Sequence, residues 1–384
     1  MQRSTERILT THTGSLPRPP LLVERMFAKE ETGQADAGEL DRLIGEAVRE
    51  VVARQRQAGL DVIGDGEAGK PSYATYVKDR LEGFGGESHA LQYADLTDFP
   101  ELARRVFGDP GRARRKTPAC TAPVRAHGTQ AVEADIDHLR AAIGSGNGNA
   151  QEEPFLTAAS PGVVSLFFRD QYYGDHEAYL FAIAEALRPE YQAVVQAGLV
   201  LQVDCPDLAM GRHIQFADLS LEAFQDQARL HVRALNHALE GLPPEQMRLH
   251  LCWGNYEGPH HRDVPLARVL DIALQARPQA ISFEGANPRH EHEWELFETL
   301  RVPEGRVLIP GVIDSTTNYI EHPDLVKQRI LRYARLVGRE NVLAGCDCGF
   351  GTWVGQAAVD PEVVWAKMAS LAEGARLASA ELWR

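Results

Sequence analysis

Met247-Arg248-Leu249-His250-Leu251-Cys252-Trp253 is the stretch on which the fold turns. Successive side chains of a strand point to opposite faces, so Leu249 and Leu251 pack behind while His250 and Cys252 offer an imidazole nitrogen and a thiolate to one point. Taken alone, such a pair also fits a packed core cysteine beside a hydrogen-bonded histidine. The alternation recurs, with Leu201 and Val203 opposing Gln202 and Asp204, and Ile281 and Phe283 opposing Ser282 and Glu284. Apolar residues facing helices and polar residues facing a common axis are what a closed parallel barrel requires.

Runs of strand character lie at 8–15, 60–65, 154–159, 199–204, 248–253, 280–284, 307–314 and 342–348, separated by amphipathic helical stretches. One of these, 39–58, carries Leu43, Ile44, Ala47, Val48, Val51 and Val52 as a stripe and stops at Gly59. Eight β-then-α units predict an α/β fold, a (β/α)8 TIM barrel spanning residues 1–384 as a single domain. Segment 83–124 lacks a clear period and reads as an insertion after the second strand, with short helices, covering part of the barrel mouth. The glycine- and asparagine-rich run 144–149 reads as a flexible loop.

Composition narrows the function. A hydrophobic content of 44% supplies a core, and a net charge of −14 argues against a nucleic-acid surface. The basic cluster at 112–116 reads as a solvated loop. No apolar run reaches the roughly 18 to 20 residues of a membrane span, and the N-terminus has no signal-peptide core, so a cytoplasmic location is expected. Five cysteines, an odd number set in apolar surroundings, favour thiol or metal chemistry over a disulfide framework.

The strand ends carry Thr13-Gly14-Ser15-Leu16-Pro17, Gly64-Asp65-Gly66-Glu67, Asp204-Cys205-Pro206-Asp207, His250-Leu251-Cys252, Glu284, Asp314 and Cys346-Asp347-Cys348-Gly349. In these motifs the chain resembles the catalytic barrel of cobalamin-independent methionine synthase and its single-barrel relatives, including the epoxyalkane:coenzyme M transferases. The likeness covers nearly the whole chain. It implies Zn2+ held by His250, Cys252, Glu284 and Cys348, and an amino-acid thiol held by Ser15, Glu67 and Asp204. Glu67, Asp204 and Asp314 are the candidate catalytic carboxylates. The implied activity is zinc-dependent alkyl (methyl) transfer to a small thiol such as homocysteine, because a thiol on zinc loses its proton and attacks carbon as a thiolate.

Several positions depart from the synthase pattern. Phe168 stands where the synthase has a pterin-stacking Trp, Thr316 where it has a proton-handling His, and Cys205 where it has a Glu. No counterpart of the synthase's duplicated N-terminal barrel is expected, so methyltetrahydrofolate is expected to be a poor donor. Trp253, Tyr256, Phe168 and Thr316 are the candidate walls of the substrate pocket, whereas Cys346 is expected to lie deeper, in the core. Opening of an epoxide by coenzyme M, with Tyr256 or Thr316 stabilising the oxyanion, is the alternative within this chemistry (a 2-hydroxyalkyl-thiol lyase). The alternative of another class is a non-catalytic zinc-binding protein. The expected partners are the thiol and an alkyl donor, with no nucleic acid or membrane; barrels of this size often pair, which leaves a homo-oligomer open.

Overall fold

Each apolar run forms a strand whose residues are buried on both faces, as parallel strands wrapped by helices must be. In a computed structural model describing residues 1–33, 36–88, 91–108, 117–144, 152–356 and 358–384, the strands are β1 Leu9–Thr10, β2 Val62–Gly64, β5 Glu153–Ala159, β6 Val200–Asp204, β7 Met247–Leu251, β8 Ala280–Phe283, β9 Val307–Ile313 and β10 Leu343–Cys346. They form one sheet in the order β1-β10-β9-β8-β7-β6-β5-β2, all pairs parallel. A parallel bridge from Thr11 to Val62 joins its two edges, so the sheet closes into the (β/α)8 barrel.

The helices form for local reasons. Helix Ala37–Ala58 begins where the Asp36 carboxylate accepts the backbone N–H groups of Gly38 and Glu39, and it ends at Gly59, with φ of 85°. Its buried face carries Leu43, Ala47, Val48, Val51 and Val52. Buried Gln55 reaches across to β2, accepting from Gly64 N at 2.9 Å and donating to Gly64 O at 2.7 Å. Among the described residues, no helix is long and apolar enough to cross a membrane.

Two expectations need correction. Segment 83–124 contains a short helix, Pro100–Phe107, but it is anchored by an antiparallel hairpin of β3 (Leu81–Gly85) and β4 (Ala119–Ala126). A register shift between Glu82 and Phe84 hides the strand period, and Gly83 at the shift has φ of 102°. The first barrel ladder is also shorter than 8–15, because beyond Thr11 the chain turns into the mouth. The basic cluster at 112–116 and most of the glycine-rich run, 145–149, lie outside the described residues.

The mouth is fastened loop to loop. The Arg18 guanidinium donates to Gly351 O at 2.6 Å, Glu67 O at 2.9 Å and Lys70 O at 3.0 Å, joining the loops after β1, β2 and β10. Asp347, after β10, accepts the backbone N–H groups of Gly285, Ala286 and Asn287, each at 2.8 Å, which fixes the β8 loop against it. Room for that carboxylate depends on Gly311 in β9, where a Cβ would lie 2.0 Å from Asp347 Oδ1 and 2.7 Å from its backbone. Gly311→Ala is therefore expected to destabilise the fold by about 1–3 kcal/mol through overpacking, measured by urea denaturation. Unchanged stability would show that the two strands separate freely.

Candidate metal centre and thiol pocket

His250 in β7, Cys252 just beyond it and Cys348 after β10 come together, their ligand atoms all within 4.8 Å of one another. The two sulfurs are 3.6 Å apart. Leu249 and Leu251 are fully buried behind them. Both His250 ring nitrogens are buried without a hydrogen-bond partner. Burial, with nearby Arg248 adding to it, holds the imidazole down at about 3, so it is neutral with a lone pair unused. The Cys252 thiol is pushed up, first by its contact with Cys348, then by burial and by the negative charges of Cys348 and Glu284. A neutral imidazole without partners beside two crowded sulfurs is a donor set that suits a borderline-soft divalent cation.

Glu284 stands beside this group and not within it. Its Oε1 accepts from Trp253 N and its Oε2 from Asn287 Nδ2, both at 2.8 Å. Burial raises its pKa against the pull of His290 and His260.

A small cavity opens beside the sulfurs, lined by Ser15, Glu67, Tyr73, Asp204, His250, Cys252, Asn255, Cys348 and Thr352 among others. Glu67 is held at φ of 55°, a left-handed conformation that a non-glycine residue adopts only under constraint. Its Oε1 accepts from Thr157 Oγ1 at 2.8 Å, while Oε2 is buried and without a partner. Lys70, the obvious neighbour in sequence, donates instead to Thr157 O at 2.5 Å and Thr157 Oγ1 at 3.0 Å. Asp204 accepts from Gln202 Nε2 at 2.7 Å; burial, followed by the charge of Glu67, pushes its pKa well above the usual carboxylate range. The cavity thus lacks a cation. Ser15 Oγ accepts from Gly351 N at 3.3 Å, and a Cβ at Gly349 would lie 2.1 Å from that oxygen.

A second, larger cavity adjoins the first and shares Asn255 and Cys348 with it; Tyr256, Glu284, Asp314 and Thr316 line it. Asn255 forms the divide, donating to Gly349 O at 2.6 Å and accepting from Ser315 Oγ at 3.0 Å. The Asp314 carboxylate caps its own turn, taking the N–H and hydroxyl of both Thr316 and Thr317 at 2.6–3.0 Å. The Tyr256 hydroxyl donates to Asp95 Oδ2 at 2.5 Å.

Two expected wall residues are elsewhere. Phe168 is fully buried and stacks on Phe84 of the hairpin, ring centroids 4.6 Å apart, lining neither cavity. Trp253 is likewise buried outside both, its indole N–H donating to Val264 O at 2.6 Å and its ring 4.3 Å from His290. Cys346 lies in the core, 3.9 Å from Met368 Sδ. Tyr73, Asn255, Thr157 and Thr352 are the residues that the sequence did not single out; Asn255 lies just three residues past Cys252, where the strand pattern ends.

Comparison with known proteins agrees with this geometry. The structure is a (β/α)8 barrel with a thiol- and imidazole-bearing mouth. The chain belongs to the family of the cobalamin-independent synthase catalytic domain, whose sequence profile matches residues 163–371. It is 25% identical to the 2-hydroxypropyl-CoM lyase of Xanthobacter autotrophicus, over 98% of this chain and 96% of that protein. It is 22% identical to a methionine synthase of Saccharolobus solfataricus, with the same coverage. A B12-independent methionine synthase from a Shewanella species, solved with selenomethionine, shares the fold at a TM-score of 0.75 and 21% identity, covering 98% of this chain and 99% of that one.

The loop after β7 is tied down by an ionic cluster. Asp263 Oδ2 accepts from His260 Nδ1 at 2.9 Å and His290 Nε2 at 3.1 Å. Burial alone would lower both imidazoles, but hydrogen bonds to Asp263 lift His260 to about 9 and His290 to about 10. Burial likewise works to raise Asp263, and the two histidines nevertheless hold it at about 2. The histidine contribution is complete below their unfolded value near 6.5 and is lost as pH rises through 9 to 10; that of Asp263 is complete above about 4 and is lost as pH falls to 2. Asp263→Asn is expected to cost about 3–5 kcal/mol near pH 6, and the gap to the unmodified protein should narrow by pH 10. Denaturation curves at the two pH values check this; an equal gap at both would remove the imidazolium pairing.

Proposed function

We propose that this protein transfers an alkyl group, methyl in the first instance, to a small amino-acid thiol such as homocysteine. His250, Cys252 and Cys348 would hold Zn2+, with Glu284 adjacent as a fourth ligand. The observation that carries the reading is one cavity with two thiols and an unpartnered imidazole on one wall and the free, buried Oε2 of a strained Glu67 on another. A zinc-storage protein has no use for that strained carboxylate.

Zinc bound by these residues lowers the pKa of a coordinating substrate thiol, so that it reacts as a thiolate near neutral pH. The chain's own residues do the rest. Glu67 and Asp204 receive the ammonium group, and Ser15, whose hydroxyl faces the cavity, meets the substrate carboxylate. Among the described lining residues none is Lys or Arg, so a sulfonate thiol such as coenzyme M finds no cation, and the amino-acid thiol fits better. The second cavity, on the other side of Cys348, would take the alkyl donor. There the hydroxyls of Tyr256 and Thr316 already donate to Asp95 and Asp314, which leaves neither ready to protonate a leaving group. A donor that departs as a neutral molecule, such as a sulfonium, suits this cavity.

The protein is expected to purify with about one zinc per chain. Cys252→Ser and Cys348→Ser should lose most of it with the barrel still folded, and Cys346→Ser should keep it. Adding homocysteine should bring a new Zn–S scatterer into the X-ray absorption spectrum. Loss of metal in Cys346→Ser alone would overturn the ligand set, and an unchanged metal shell with every thiol would favour storage.

The donor is tested by single-turnover formation of methionine. A methylsulfonium compound should outpace methyltetrahydrofolate, mono- or triglutamate. Rapid turnover with methyltetrahydrofolate would show that the missing acid is no obstacle.

A further inference from the structure

Beneath the thiol cavity lies a layer of buried polar side chains that the metal group does not explain. The parallel register sets Thr157 of β5 beside Gln202 of β6, and Gln202 beside Arg248 of β7. Arg248 and Lys70 are 1% and 2% exposed. Among the described residues neither cation pairs directly with a carboxylate. Arg248 donates from Nε to Gln202 Oε1 at 2.7 Å, from Nη1 to Thr11 Oγ1 at 2.8 Å and from Nη2 to His12 O at 2.8 Å. Lys70 donates to Thr157 O and Oγ1.

In both cases the next link is neutral, and its far side reaches a cavity carboxylate. Gln202 Nε2 donates to Asp204 Oδ1 at 2.7 Å, and Thr157 Oγ1 donates to Glu67 Oε1 at 2.8 Å. Donor chemistry fixes the direction of each chain. Arginine and lysine have no acceptor, so Arg248 takes the Gln202 carbonyl and turns its NH2 group toward Asp204. Lys70 fills the lone-pair side of the Thr157 hydroxyl, whose single proton then points to Glu67. A buried cation without a counter-ion is strongly penalised, and each cation reaches a cavity carboxylate through one neutral residue.

We propose that Arg248 and Lys70 are positioning residues that act through Gln202 and Thr157 to anchor Asp204 and Glu67 with their remaining oxygens turned to the cavity, making it a subsite selective for a thiol that carries an ammonium group. The inference rests on the amino-acid-thiol reading above. It assigns the selectivity to four residues, of which Gln202 and Thr157 touch the cavity carboxylates and none is a proposed metal ligand.

The test compares binding of homocysteine and of 4-mercaptobutanoate, which lacks the amino group, to the zinc-loaded protein by calorimetry. The unmodified protein should prefer homocysteine. Arg248→Met and Gln202→Leu should weaken homocysteine about ten- to hundredfold, the equivalent of one charged hydrogen bond, with 4-mercaptobutanoate unchanged; Arg248→Lys should restore part of the preference. Thr157→Val leaves both cations and the Lys70 bond to the Thr157 carbonyl in place and removes the hydroxyl that links Lys70 to Glu67, so it reads the same ratio should Arg248→Met fail to fold. Equal weakening of both thiols, or a preference kept in Gln202→Leu and Thr157→Val, would overturn the inference alone. An unmodified protein that does not prefer homocysteine would overturn the amino-acid-thiol reading and the inference with it.

Discussion

The register of β6 against β7 pairs Gln202 with Arg248 and Asp204 with His250, and the mouth of this barrel depends on it. With a side-chain period of two, one register fixes two layers at once. The upper layer sets the Asp204 carboxylate beside the His250 imidazole; the lower sets an amide beside a guanidinium. A slip of one residue would exchange these polar groups for Leu201, Val203, Leu249 and Leu251 and turn the charges into the helical shell. The site and the core are in this sense set by one and the same register.

The loops complete what the strands begin. Asp347 gathers three consecutive backbone N–H groups of the β8 loop, so Cys348, its neighbour in sequence, is referenced to Glu284, which begins that loop. Burial and the nearby Glu284 and Asp314 charges push Asp347 up to about 7, against the backbone hydrogen bonds that favour its charge. The insertion adds a second tie, since Asp95 accepts both the Tyr256 hydroxyl and His260 N. The β7 loop is therefore held from the barrel side by Asp263 and from the insertion side by Asp95, which keeps the wall of the second cavity in place. A cavity bounded by such ties presents a preformed shape to its ligand, and ordering entropy is not added to the cost of binding.

Strand ends were legible because a period of two assigns each residue a face without knowledge of its neighbours: Ser15, Glu67, Asp204, His250, Cys252 and Cys348 come together around one cavity. Phe168 and Trp253 were not legible, because an aromatic residue beside a strand end can turn into the pocket or into the shell, and the partners that decide, Phe84 and His290, are remote in sequence. The hairpin in the insertion was hidden by its register shift. Arg248 was overlooked for a different reason: inside a strand it resembles a solvent-facing residue, and only closure of the barrel shows that its face is interior.

That interior cation bears on why the thiol cavity is built as it is. A carboxylate salt-bridged directly to Arg248 or Lys70 would be well satisfied and would have little left to offer a ligand; one left in an apolar wall would lose its charge to burial. The neutral Gln202 and Thr157 stand between these limits. They engage one oxygen of each carboxylate, keep a cation near enough to act through the low-dielectric interior, and leave the outer oxygen of Glu67 without a protein partner. The cavity is thereby short of positive charge at the place where an ammonium group would enter, and short of it again at the sulfurs, where a divalent cation would. On the proposed reading, the sulfurs and the Glu67–Asp204 pair stand at two ends of one small cavity and would select what fits between them by length and polarity: a thiol at one end, an ammonium group at the other, and a short carbon chain joining them.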